Sequence, residues 1–450
     1  MGMDINKKIE ESLKYATETK VFVLGEKVLG RTPAIFKEQF PGRDAIIVAD
    51  KNTWRVAGEE VYGYMVAAGI KCFKHIIEKD EFHADWEYVE EVEAAMKSTG
   101  AIAVAVGSGT INDLCKCVAF RLKDKYMCVA TASSVDGYSS SGAVITIDGL
   151  KQTVNSAAPV AIIADTIILA NAPKEMTAAG YADLAAKVPA GAEWMIADLF
   201  GTEPIIPNAW HILFDVLDEL LADPEGVAAG KPESVAFLFA GLTLSGFAMQ
   251  VAGSSRPASC TEHLFSHYLD MTGYRYKGKL QSHGFQVAVG TLTMSAFFDE
   301  FYKYDLSKLD VDKCVAAWPT LEQEQQRALK VYETFPSKEL GYVEMTKKYS
   351  DAETVRKQLT DVKNNWFDFK AKLQKQTYTF DKMKHLFTVV GAPTDPLDIG
   401  VTREKLLSIV PFTQLMRWRI NLLDLCKRAM IYDDIVAKVF GKGGAWEIVK

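Results

Sequence analysis

Three of the chain's 7 histidines crowd into one short region. His263 and His267 lie in "SRPASCTEHLFSHYLD", and His283 follows in "LQSHGFQ". Residues four apart share a face of a helix, so His263 and His267 point the same way. Asp183 sits in "AAGYADLAAK", an apolar stretch with helical spacing. Two imidazoles and one carboxylate form a three-ligand set with an open fourth position, which suits a catalytic zinc better than a structural one. Fe2+ or another divalent ion is compatible with the same donors. The spacing leaves two arrangements open: both His263 and His267 bind the ion, or one binds it while the other meets a substrate. It also leaves open that these are ordinary polar residues of a helical core.

A second stretch with chemical potential is "AIAVAVGSGTINDLCK", residues 101–116. Gly107 and Gly109 stand between an apolar strand and a helix, where glycine lets the backbone approach a bulky group. The helix start then offers N–H groups and partial positive charge to an anion such as a pyrophosphate. The dinucleotide fingerprint G-x-G-x-x-G is not met, because Asn112 occupies the third glycine position. Asn112 or Asp113 can equally serve as a helix N-cap. Asp50 ends the strand "AIIVAD", where a carboxylate can accept from ribose hydroxyls and disfavour a 2′-phosphate. The competing reading is again an N-cap, and the neighbouring Lys51 weakens the preference for NAD.

The elements that must position these groups follow from the apolar pattern. Short β-rich runs at 45–50, 71–77, 101–106, 126–131 and 160–165 alternate with helical stretches, including one closed by Gly100. That alternation predicts βαβ units and a mostly parallel sheet. Asp148-Gly149 predicts a hairpin within 143–155. After residue 172 strand signals stop, and Pro173 suits the first turn of a helix. Val355, Leu359, Val362, Trp366, Phe369 and Leu373 step by four and three, the stripe of a bundle core. We therefore expect an α/β domain at 1–172 and an all-α domain at 173–450, with a ligand cleft between them.

Composition narrows the function classes. The chain has 450 residues, 48% of them hydrophobic, and a formal charge of −7, which argues against nucleic acid as a partner. Its start has no apolar run of the secretory type, and Gly2 lacks the Ser or Thr that myristoylation needs. The run at 235–252 is nearly long enough to span a membrane, but its glycines, Thr243, Ser245 and Gln250 point to a buried helix. The 7 cysteines have irregular spacing and no CxxC pair, which fits reduced thiols in the cytoplasm.

Five segments occur in one order: "GSGTINDLCK", "TASSVDGYSSSGAVI", "AGYADLAAKVPAGAEW", "SRPASCTEHLFSH" and "LQSHGFQVAVGTL". Together they resemble the sn-glycerol-1-phosphate dehydrogenases of the iron-containing alcohol dehydrogenase and dehydroquinate synthase-like superfamily. The tail "GAPTDPLDIGVTREKL" resembles the bacterial branch. The resemblance implies a Rossmann-like N-terminal domain with a mostly parallel sheet and a helical C-terminal domain. It implies that Gly109, Thr110, Ile111, Asn112 and Asp113 hold the cofactor pyrophosphate beside Gly107. Thr131 and Ser134 would line the cofactor, and Ser140 would lie near the nicotinamide. It makes Asp183, His263 and His283 the metal ligands, with Asp136 and His267 in contact with substrate.

The implied activity is NAD(P)-linked interconversion of sn-glycerol 1-phosphate and dihydroxyacetone phosphate, with NAD the first expectation and NADP the alternative. The ion, Zn2+ ahead of Fe2+ or Ni2+, would act as a Lewis acid on the secondary alcohol. His267 or Asp136 would relay the proton. Lys187, one turn beyond Asp183, and Arg256 are candidates for the substrate phosphate. Their competing roles are an ion pair with Asp183 and a helix-entry contact. The rival functions are a glycerol or polyol dehydrogenase and a dehydroquinate synthase-like lyase. A homo-oligomer is expected, with no membrane span. His263→Ala is expected to abolish turnover and leave NAD binding intact, checked by activity assay beside calorimetric NAD titration.

Overall fold

A parallel strand buried on both faces reads as a nearly continuous apolar run. The computed structural model describes residues 4–79 and 82–449, so Gly2 lies outside them. It forms β1 (Val21–Gly25), β2 (Ala45–Asp50), β3 (Cys72–Ile77), β4 (Ile102–Gly107), β5 (Met127–Ala130), β6 (Ala143–Ile147), β7 (Leu150–Val154) and β8 (Ala161–Asp165). Six of them make one parallel sheet in the order β1-β8-β5-β4-β2-β3. Strands β4, β5 and β8 are buried along their whole length. Along β4, Ala103 and Ala105 enter one apolar cluster, while Ile102, Val104 and Val106 enter another, as the period of two requires. The mostly parallel sheet and each of its expected strands are thus borne out. The sequence reading omits only β1, an edge strand in which Val23 alone is buried.

Strands β6 and β7 pair antiparallel, with Ile147 opposite Leu150. Asp148 and Gly149 take φ of 52° and 79°, the left-handed pair that a two-residue hairpin needs. Helix α1 (Trp86–Thr99) ends on Gly100 in the left-handed region, as expected. Helix α2 (Gly109–Arg121) follows β4 directly.

Among the described residues no strand of the sheet follows β8. Helices α3 (Lys174–Ala185), α4 (Lys187–Leu199), α5 (Pro232–Ala252), α6 (Thr261–Met271) and α7 (His283–Phe301) carry most of the groups of interest. Pro173 caps α3 from just outside, its carbonyl accepting from the Met176 and Thr177 amides. The chain divides into two compact units. One comprises Met1–Leu184, Pro207–Pro257 and Val389–Gly391; the other comprises Ala185–Ile206, Ala258–Thr388 and Ala392–Lys450.

In the first unit, α5 is long and apolar enough to cross a membrane by length and composition, yet most of it is buried inside the protein. Its polar positions explain why. The Ser139 hydroxyl donates to the Thr243 carbonyl at 2.9 Å. Gln250 donates to Thr19 Oγ1 and to the Ser139 carbonyl, and accepts from the Glu18 amide. In the second unit the stripe from Val355 to Leu373 is buried at all six positions. It spans two helices, Ala352–Asn364 and Trp366–Gln376, hinged at Asn365.

Close backbone approach fixes α3. A Cβ on Gly180 would stand 1.9 Å from the Ser133 carbonyl oxygen, and backbone does not yield like a flexible side chain. Gly180→Ala is therefore expected to destabilise the protein by about 1–3 kcal/mol, read as a lower urea midpoint at unchanged slope.

Candidate metal centre and cofactor turn

The turn from β4 into α2 is built for close approach. A Cβ on Gly107 would meet Ile111 Cβ at 2.6 Å, and one on Gly109 would meet Val135 Cγ2 at 3.0 Å. Ser108 is the N-cap of α2, with extended backbone and no side-chain bond to the helix amides. Ser108, Gly109 and Thr110 are half-exposed, while Ile111 is buried. Such a helix start can receive an anion.

Asn112 and Asp113 do not cap this helix. Asn112 is buried, accepting from the Tyr126 hydroxyl at 3.0 Å and donating to the Gly137 carbonyl. Asp113 accepts from the Val144 amide at 3.1 Å and faces Lys116 at 3.6 Å. Burial pushes the Asp113 carboxyl up and Lys116 pulls it back. Lys116 itself is fully buried and donates to the Gly137 and Gly142 carbonyls at 2.5 and 3.0 Å. Burial lowers its pKa, against the attraction of Asp113. These three side chains brace the segment between β5 and β6. In that segment Thr131 is buried and its amide donates to the Gly107 carbonyl; Ser134 is nearly buried; Ser140 Oγ donates to the Gly137 carbonyl. Asp50 is an N-cap, accepting from the Asn52 and Thr53 amides at 2.7 and 3.0 Å in a capping box.

Asp183 in α3, His263 in α6 and His283 at the start of α7 each offer one ligand atom, and these atoms lie within 4.8 Å of one another. The two imidazole rings are 5.2 Å apart between centroids. Each residue is held from behind. The Asp136 amide donates to Asp183 Oδ2 at 2.9 Å. Glu262 Oε1 lies 2.8 Å from His263 Nδ1 and also accepts from the Cys260 amide at 2.7 Å. A carboxylate accepts only, so His263 carries its proton on Nδ1 and turns the Nε2 lone pair outward. Ser266 Oγ donates to Gln286 Oε1 at 2.7 Å and lies 3.1 Å from His283 Nδ1. Having given its hydrogen to Gln286, Ser266 accepts from His283, which likewise presents Nε2. Gln286 is fixed in turn by Asp270. Two imidazole nitrogens with protonated partners behind them and one buried carboxylate fit a divalent ion.

The other expected residues take separate places. His267 stands beside Arg417, with Nε2 3.2 Å from Nη2. Asp136 Oδ2 accepts from Ser245 Oγ at 2.9 Å. Lys187 and Arg256 are deeply buried, and the Arg256 amide donates to Ser254 Oγ. The sequence reading misses Glu262, Glu193 and Arg417. Glu193 is fully buried and accepts from the Thr261 amide and hydroxyl and from the Leu422 amide, at 2.8–2.9 Å. Burial first, and then the charge of Glu262, push its carboxyl up. Only Glu262 has a sequence signal, its position next to His263; the others act across 68 to 229 residues of chain.

The parallel sheet and this donor set suit a metal-dependent, nucleotide-linked oxidoreductase, and that class rests on comparison with known proteins. The family model of the iron-containing alcohol dehydrogenases matches residues 23–173. The glycerol-1-phosphate dehydrogenase [NAD(P)+] of Geobacillus thermodenitrificans (strain NG80-2) is 30% identical over 295 residues, 65% of this chain and 69% of that one. The chain belongs to the iron-containing alcohol dehydrogenase family. A second relative, the glycerol-1-phosphate dehydrogenase [NAD(P)+] of Geobacillus stearothermophilus, is 29% identical over 72% of this chain and 82% of its own length. The solved glycerol dehydrogenase of Schizosaccharomyces pombe shares the fold, with TM-score 0.60 and 16% identity over 94% of this chain and 90% of that one.

Glu262 sets the tautomer and basicity of His263, so Glu262→Gln should keep the shape and lose the charge. Metal affinity, measured by competition with a chelator, is expected to fall about 10- to 100-fold.

Proposed function

We propose that the chain interconverts sn-glycerol 1-phosphate and dihydroxyacetone phosphate, with NAD ahead of NADP, at a divalent ion held by Asp183, His263 and His283. The observation that carries this reading is the convergence of those three ligand atoms within 4.8 Å. When bound, the ion (Zn2+ ahead of Fe2+ or Ni2+) supplies Lewis acidity at the alcohol oxygen, and the nicotinamide gives or takes the hydride.

The chain's own residues supply position, exclusion of water and proton handling. Residues 1–172 are assigned to the cofactor, and residues 173–450 to metal and substrate. Gly107 and Gly109 admit the pyrophosphate to the start of α2, where the amides of Gly109, Thr110 and Ile111 receive it, while the Asn112 amide closes the first turn on the Ser108 carbonyl. The side chains of Asn112 and Asp113 serve that turn indirectly, by bracing the segment that carries Ser134 and Ser140. Thr131, Ser134 and Ser140 line the cofactor. Asp50 takes the ribose with the acceptor capacity that its capping bonds leave over, since a carboxylate has about four lone-pair sites.

Asp136 is the proton acceptor for the substrate hydroxyl, its carboxylate aimed by Ser245. Arg417 donates only, so His267 accepts at Nε2 and is held where it contacts the substrate. Lys187 and Arg256 add positive charge for the phosphate. The absence of disulfides among the 7 cysteines, all within the described residues, supports placing the enzyme in the cytoplasm.

The test is a panel of dihydroxyacetone phosphate and dihydroxyacetone with NADH and NADPH, before and after chelation. We expect the phosphorylated ketone to be preferred, activity to vanish on chelation, and a divalent ion to restore it. Equal or better turnover of dihydroxyacetone would replace this reading with a polyol dehydrogenase.

A further inference from the structure

Helix α6 carries two functions one turn apart. His263 belongs to the metal group, and His267 follows on the same face, its Cβ about 5–6 Å away. At that second position the structure brings in a residue from far along the chain. Arg417 Nη2 lies 3.2 Å from His267 Nε2, and Nη1 donates to Ser259 Oγ at 3.2 Å. Ser259 is just ahead of α6, so both anchors of Arg417 belong to the segment that carries His263. Arg417 and His267 are half-exposed, whereas Ser259, His263 and Arg419 around them are buried. Arg419 donates to the Ser259 carbonyl and lies 3.5 Å from Glu203.

We infer that Arg417 binds the phosphate of the substrate, an assignment that rests on the phosphorylated-substrate reading above. A guanidinium is a planar fork of five donors that matches phosphate oxygens in pairs, and it keeps its charge at any physiological pH. The position fits the ligand. In a three-carbon phosphate monoester, one carbon and one ester oxygen separate the reacting carbon from phosphorus. The phosphate must therefore sit a short step from the ion, and Arg417 contacts His267, one helical turn from His263. Ser259 and His267 hold the fork in one orientation before the ligand arrives, which lowers the ordering cost of binding. A neutral polyol cannot accept the paired, charge-assisted hydrogen bonds that a phosphate takes from this fork, so the same arginine favours the phosphorylated substrate.

The assignment is tested with Arg417→Met and Arg417→Lys in the full-length holoenzyme. NADH affinity, from fluorescence titration, reports whether each variant is folded. Arg417→Met is expected to raise KM for dihydroxyacetone phosphate on the order of 100-fold, with a smaller fall in kcat. Inhibition by inorganic phosphate should weaken by a similar factor. Arg417→Lys should recover part of the loss, because it returns the charge without the fork. A variant Arg417→Met with native NADH affinity and native KM overturns the assignment. Should that variant lose NADH binding, Arg417→Lys decides: a raised KM supports the assignment and a native one overturns it. The two readings fail separately. A native enzyme indifferent to the phosphate sinks the substrate class, while a phosphate-selective native enzyme with unaffected Arg417 variants sinks this arginine alone.

Discussion

Two buried carboxylates, Glu193 and Glu262, fix the start of α6, and the placement of His263 depends on that start. Glu193 receives the Thr261 amide and hydroxyl, while Glu262 receives the Cys260 amide and His263 Nδ1. Neither is a bargain in stability. Removing a carboxylate from water costs several kcal/mol, and each hydrogen bond to a charged group returns only about 1.5–3 kcal/mol. Their neighbourhood makes matters worse, since the charge of Glu262 helps to push Glu193 up. Glu262 Oε2 also has no hydrogen-bond partner among the described residues. What the pair contributes is direction. With Nδ1 of His263 held on Glu262, the Nε2 lone pair of that ring is turned outward. The close packing of α7 on α6 serves the same end: a Cβ on Gly290 would fall 2.0 Å from the Glu262 carbonyl oxygen.

The turn from β4 into α2 is stiffened by a different device. Lys116 is a buried ammonium that spends its donors on two carbonyls of the segment between β5 and β6. Asn112 and Asp113 add bonds to the same segment, and Tyr138 closes it by donating to the Ala132 carbonyl at 2.8 Å. The first two turns of α2 therefore do two jobs. The amides of Gly109, Thr110 and Ile111 lie at the open helix start, while the side chains of Asn112, Asp113 and Lys116 hold the Asp136 region in place. Asp136 then passes that order to Asp183 through its amide. Asp183 is thus tied to the turn from β4 into α2 by a chain of hydrogen bonds, not by sequence proximity.

This division explains what was legible before the structure. Strand runs such as "AIAVAV" and "VAIIAD" announce themselves because both faces are buried, and Asp148-Gly149 leaves no doubt about a hairpin. The edge strand β1 does not announce itself, since only Val23 is buried and nothing enforces a pattern around it. The ligand set was visible as residue types, yet spacing alone left His263, His267 and His283 unsorted. The structure groups His263 and His283 with Asp183 and sets His267 beside Arg417. Nothing local to "MRWRI" marks Arg417, and nothing local to "GAEW" marks Glu193. Their roles depend on contacts across 150 and 229 residues, which no periodicity encodes. Asp50 and Asn112 show the opposite limit. Each had two local readings; the structure shows the N-cap at Asp50 and none at Asn112.

Arg417 sits on a loop, which raises the question of what keeps a specificity element in register with a helix. The answer lies in how densely the loop ends are tied. Glu193 reaches Leu422 with the same carboxylate that holds Thr261, so one buried group spans the loop and the start of α6. Lys348, also buried, donates to the Gln414 carbonyl and to Asp424, bridging the residues on either side of the loop. Glu344 accepts from the Trp418 amide at 2.9 Å, next to Arg417 itself. A loop pinned at Gln414, Trp418, Leu422 and Asp424 has little freedom left at residue 417. The buried charges that weaken this half of the protein in stability terms are therefore the same ones that keep its half-exposed arginine within reach of His267. Relaxing them by apolar replacement would favour the fold and loosen the site, a trade that residues placed for geometry commonly impose.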